Sequence, residues 1–261
     1  MLEPTPNRSK NLIVSLFKNY NMETLAITMA TYQRADGKTP FYLSRALKSI
    51  AEQSYQNFKL YLIGDKYYDD AEFNRVIEKA ISDNPNLDGK ILYENRPFAP
   101  EREKYFGVNN TALWNCGGTS AVNYATFLAC QDLNTGVCHL DHDDYWASDH
   151  LQTIVDTLSF VGKTPFIHTL SKYLHHEYFP TSSPDGAIVQ THPMCGALIH
   201  SSVYVDYSII PFTYRDVFEA TGQIYPSDGD MWDRINRHCL ENSLKCYMVR
   251  HRTCFHEEEN H

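Results

Sequence analysis

The chain has 261 residues, is 43% hydrophobic and 21% charged, and carries a formal net charge of −9; these fractions exclude disordered, collagenous and low-complexity classes, and the length allows one large core. An acidic balance of 32 Asp+Glu against 23 Lys+Arg argues against a nucleic-acid partner, whose binding rests on neutralised phosphates. Seven cysteines with no CxxC pair, no apolar signal core and no apolar run near the length of a membrane span (Leu12–Phe17 is the longest near the start) point to a soluble, cytoplasmic protein with free thiols.

Residues 1–22 read as a loosely ordered polar leader, whose Arg8, Lys10 and Lys18 permit contact with a membrane surface. Leu25–Ala30 reads as a buried strand. Thr39-Pro40 then serves as cap and first position of a helix with Leu43, Leu47, Ile50 and Ala51 on one face. Phe58–Ile63 is the next strand, and Asp69 and Asp70 open a helix with Phe73, Val76, Ile77, Ala80 and Ile81 at helical spacing. Ile91–Tyr93 is a short strand. Pro97–Gly118 is long and polar and carries no assigned role. Gly117-Gly118-Thr119 precedes a helix through Val122, Ala125 and Ala129, Val137–Leu140 is another strand, and Ser148 caps a helix with Leu151, Ile154, Val155 and Leu158.

Strand–helix units at this spacing imply an α/β fold with a mainly parallel sheet flanked by helices. Residues 163–215 are less regular and rich in aromatic residues, with strands expected at Ala197–His200 and Val203–Val205. A further helix starts near Ser227 or Asp228 and places Trp232, Ile235 and Cys239 on one side. Lys245–Val249 reads as a late strand and 256–261 as a polar tail.

In open α/β sheets, ligands bind beyond the carboxyl ends of the strands. The turns there are Thr31-Tyr32-Gln33-Arg34, Gly64-Asp65-Lys66 and Asp141-His142-Asp143-Asp144. Three carboxylates within four residues repel one another unless a cation or hydrogen-bond donors offset them. A hard divalent cation completed by a diphosphate meets that need. His175-His176-Glu177 looks metal-like, but neighbouring strand residues point to opposite faces, which makes it a surface feature.

These segments resemble a family 2-type glycosyltransferase with the nucleotide-sugar-binding GT-A fold. The likeness is carried by Ile27–Arg34, by Leu43–Tyr55, by the DxD-like turn in His139–Trp146 and by Ser227–Ile235. It implies a single domain over 23–255, with a nucleotide-sugar half (23–160) and an acceptor half (161–255). It further implies a nucleotide-sugar donor, UDP ahead of GDP, a glycan or other hydroxyl acceptor, and Mn²⁺ or Mg²⁺ as cofactor. Thr31, Arg34, Asp65 and Asp141 would contact the donor, and Asp143 and His251 would contact the metal. Asp228 or Asp230 would act as general base in an inverting displacement. The chain departs from the family pattern at Gln33, in the added Ala35–Lys38, and in Ser227-Asp228 at the base position. Two other readings stay open: a metal phosphohydrolase built on His139, Asp141, His142, Asp143 and His150, and a catalytically silent nucleotide-sugar or glycan binder.

Overall fold

Apolar residues on both faces of the first strand require helices on both sides of the sheet. The computed structural model describes residues 24–256, and β1 (Leu25–Thr31) meets that requirement. Leu25, Ile27 and Met29 pack on Leu43, Leu47 and Ile50 of α1 (Thr39–Ala51) and on Phe73 and Ile77 of α2 (Asp70–Asp83). The alternate residue Ala26 faces Ala121, Ala125 and Ala129 of α5 (Thr119–Gln131), where small side chains let helix and sheet approach closely. Each fully buried Leu or Ile contributes about 1.5–3 kcal/mol. β2 (Phe58–Gly64) and β3 (Ile91–Asn95) extend the sheet on one side of β1, and β4 (Gly136–His139) extends it on the other, all in parallel.

Beyond β4 the pairing changes hand. β9 (Val203–Asp206) lies antiparallel between β4 and β6 (Phe166–Tyr173), and β10 (Cys246–His256) runs parallel to β6. β5 (Tyr145–Trp146) and β8 (Ile188–Thr191) add to β10, and β7 (His176–Phe179) adds to β6, all antiparallel. The order β3-β2-β1-β4-β9-β6-β10-β5, with β7 beside β6 and β8 beside β10, makes one ten-stranded sheet among the described residues. A second core joins Phe166, Val203, Val205, Ile210 and Tyr214 to Met231, Trp232 and Ile235 of α8 (Ser227–Glu241). No helix among the described residues is long and apolar enough to cross a membrane.

Several boundaries differ from expectation. The Thr39 hydroxyl does not cap α1; it donates to the Tyr32 carbonyl (3.0 Å) and accepts from the Arg34 amide (2.9 Å), tying down the loop after β1. Ser148 does not cap α6 (His150–Val161); its carbonyl accepts from the Ser54 amide. Ala197–His200 is not a strand, because Gly196 at φ 74° and the Ala197 amide bonded to the Met194 carbonyl turn the chain into a 3-10 turn at His200–Ser202. The late strand runs on to His256, the first residue of the expected tail. Residues 1–23 and 257–261, including the leader, lie outside the described residues. Pro97–Gly118 holds two short helices, α3 (Pro100–Tyr105) and α4 (Asn110–Cys116).

Candidate active site

The carboxyl ends of β1, β2 and β4 open onto one cleft of about 1470 Å³, closed on its other walls by α3, α4 and the first turn of α8. All three turns expected to gather at this edge line it. The Gln33 amide donates to Glu72 (3.1 Å), and its oxygen accepts from the Asp69 amide (3.2 Å). The longer side chain thus reaches across to the start of α2.

One corner holds a buried acid. Asp65 Oδ2 accepts from Arg102 Nε at 2.6 Å, and the Arg102 guanidinium lies 3.6 Å from the centre of the Tyr32 ring. Asp65 Oδ1 and the neighbouring Thr31 hydroxyl are buried without a partner, which native structures rarely tolerate unless a ligand or water completes them. Burial raises the Asp65 carboxyl above its usual range, against the pull of Arg102. Gly118, at φ +87°, starts α5 against this corner.

The acidic turn follows β4 with each carboxylate paired to a base from a different segment. Asp141 meets His200 Nδ1 at 2.8 Å, Asp143 meets Arg34 at 3.6 Å, and Asp144 meets His256 Nδ1 at 2.7 Å. The mutual repulsion of the three acids is thus offset by the protein itself. Burial works upward on Asp141, but the His200 charge prevails and holds it at about 2. Burial works downward on His200 and His256, but their carboxylate partners prevail and raise both. His142 is buried edge-on to Tyr32 at 5.3 Å, and burial lowers its pKa.

Among the described residues no three His, Cys, Asp or Glu side chains form a metal-holding group. Asp143 has the longest of the three ion pairs, and Asp141 is the most exposed of the three carboxylates.

The remaining expected residues separate. Asp228 lines the cleft at the start of α8, where its carboxylate accepts from the Gly229 amide at 2.7 Å. Burial raises its pKa, with the His200 charge pulling the other way. Asp230 is not among the cleft-lining residues: Arg215 (2.6 and 2.9 Å) and Arg234 (2.7 Å) hold it in a salt-bridged cluster. His251 also lies off the cleft, bonded to Asp149 at 2.7 Å; the histidine that β10 delivers to the cleft is His256. The histidines of the phosphohydrolase reading do not converge, since His139 bonds Thr28 and Tyr207, while His150 bonds Thr253 and stacks on Trp146. β4 is moreover a strand where that all-helical fold needs a helix.

Sequence reasoning missed Arg102, His200 and His256. Arg102 sits in a polar stretch without periodicity, and His200 lies 59 residues from its partner Asp141. For His256 the signal was the apolar pattern resuming at Cys254-Phe255 after Arg250–Arg252.

No family model matches the chain. Uncharacterized glycosyltransferase R139 of Acanthamoeba polyphaga mimivirus is 35% identical over 240 residues, covering 89% of this chain and 93% of its own length. S. aureus TarS 1-349 in complex with UDP superposes with a TM-score of 0.61 at 10% identity, over 90% of this chain. The same TarS piece in complex with UDP-GlcNAc gives 0.59 at 11%, over 91% of this chain. The chain spans only 61% and 59% of those two TarS chains, and at such identity the likeness concerns the fold.

Proposed function

This chain belongs to the glycosyltransferases and has the GT-A-type fold, and from that premise we propose that it moves a sugar from a UDP-sugar to a hydroxyl acceptor as a family 2-like, inverting enzyme. The observation that carries this reading is the half-satisfied Asp65. Arg102, stacked on Tyr32, holds one of its oxygens, and the other is buried and unpartnered at the carboxyl end of β2. Such an acceptor suits the single imide N–H of uracil or a ribose hydroxyl, and a guanidinium alongside suits the flanking uracil carbonyls. The UDP and UDP-GlcNAc complexes of TarS support a uridine donor.

Thr31 and Asp65 hold the nucleoside, Arg34 faces the diphosphate, and Asp141 and Asp143 meet the ribose–diphosphate segment. Asp143, with Asp141 beside it, offers the oxygen donors that suit Mn²⁺ or Mg²⁺. When bound, that cation neutralises charge on the departing diphosphate. His251 drops out of this set, because it is held by Asp149 away from the cleft. Asp228 takes the proton from the acceptor hydroxyl as that oxygen attacks the anomeric carbon, and Asp230 keeps a structural role. The acceptor enters over an apolar rim that includes Tyr173, Phe179 and the exposed Trp114.

The test is calorimetric titration with UDP and GDP, each with Mn²⁺ and with EDTA. Metal-dependent binding of UDP, abolished by Asp143→Ala, is the expected result. Failure to bind either diphosphate under any of these conditions would sink the reading.

A further inference from the structure

The 3-10 turn at His200–Ser202 holds the start of the acidic turn and the strand β5 just beyond it. At that start the Asp141 amide donates to Ser201 Oγ (2.9 Å), and the Asp141 carboxylate meets His200 Nδ1 (2.8 Å). In β5 Trp146 Nε1 donates to the Ser201 carbonyl (2.7 Å). The His200 ring is itself immobilised. Its Nε2 lies 3.1 Å from the Tyr214 hydroxyl, and its faces stack on His139 of β4 (4.8 Å, 24°) and on Trp232 of α8 (6.1 Å, 29°). Its side chain is only 10% exposed, whereas that of Asp141 is 43% exposed toward the cleft.

A half-exposed aspartate with two other acids close by would sample several rotamers, and a fixed donor removes that freedom before any ligand arrives. We propose that His200 is a positioning residue, holding the Asp141 carboxylate in the one orientation that meets the donor. This inference rests on the donor-site reading above. His200 touches no reacting atom in it; it acts through Asp141, and its two stacking partners make the orientation a property of the joined β4 and α8 rather than of a loop.

The experiment is UDP titration in the presence of Mn²⁺ on wild type, His200→Phe, His200→Asn, Asp141→Ala and the His200→Phe/Asp141→Ala double variant. Phe keeps a ring for the stacks and removes both hydrogen bonds. Asn places an amide nitrogen where Nδ1 was. His200→Phe should raise the Kd about tenfold, the scale of a lost hydrogen bond to a charged group. His200→Asn should recover most of that loss. Added to Asp141→Ala, His200→Phe should cost nothing more. Wild-type affinity in His200→Phe, or an equal loss in the Asp141→Ala background, would overturn the assignment, the latter by showing a merely structural ring. If wild type binds no UDP the donor reading itself falls, and this inference falls with it.

Discussion

Burial holds the Asp228 carboxyl above its ordinary value, and that has two measurable consequences. A general base works only when ionised, so in the proposed role of Asp228 the acid limb of the pH–rate profile should fall through a pKa above the ordinary carboxylate value of 3.8. Asp228→Asn should bind UDP normally yet lose at least about a hundredfold in turnover. Stability carries the opposite sign. Above the folded pKa the carboxylate is charged and buried at a cost; below the unfolded pKa it is neutral in both states. Asp228→Asn should therefore melt higher than wild type at neutral pH, a difference that closes as the pH falls to the ordinary carboxylate range. Asp230 behaves otherwise, since its value lies in Arg215 and Arg234. Asp230→Ala should lose about 1.5–3 kcal/mol in denaturant unfolding, the scale of charged hydrogen bonds, while the stable fraction keeps its turnover. Sequence alone could not separate these two acids, because both suit the first turn of a helix. What separates them is a loop arginine 15 residues upstream of Asp230.

Helices and strands of the first half were legible because their apolar residues recur at clean periods: β1, α1, β2 and α2 fall within a residue or so of where the spacing puts them. α3 and α4 were not, being six and seven residues long and too short to show a period. β10 was under-read because Arg250, His251 and Arg252 interrupt its apolar pattern where its register against β6 shifts. The start of α5 offers a test at this scale. Gly118 sits at φ +87° with no atom closer than 3.9 Å to an added Cβ, so strain rather than collision governs Gly118→Ala. It should cost about 1–2 kcal/mol in denaturant unfolding, the penalty of a left-handed L-residue. Arg102 tests α3 directly: Arg102→Ala should weaken UDP binding in a titration by about tenfold, by freeing Asp65 and unstacking Tyr32.

Across the whole molecule, the α/β class followed from alternation, but the change from parallel to antiparallel pairing at β9 did not. Val203–Asp206 is four buried residues, a run that pairs equally well in either direction. The cysteines give a global check. All seven are free; Cys116, Cys138, Cys239, Cys246 and Cys254 are buried, and only Cys130 and Cys195 are partly open. A thiol-specific chromogenic reagent should therefore titrate at most two groups in the native protein and seven in guanidinium. Fast reaction of more than two would show that the cores open readily. The sheet order has a further consequence, for a chain still being made. Strands β1, β2 and β4 are complete at His139 and the acidic turn at Asp144, yet the cleft gains Asp228 only with α8, and His256 only once β10 has joined β6 in the sheet's interior. At roughly 5–20 residues per second of synthesis, an emerging chain spends on the order of ten seconds with its acidic turn made but the bases His200 and His256 not yet in place. The cleft is thus completed late in translation, and a chain cut short before β10 lacks the base that pairs with Asp144.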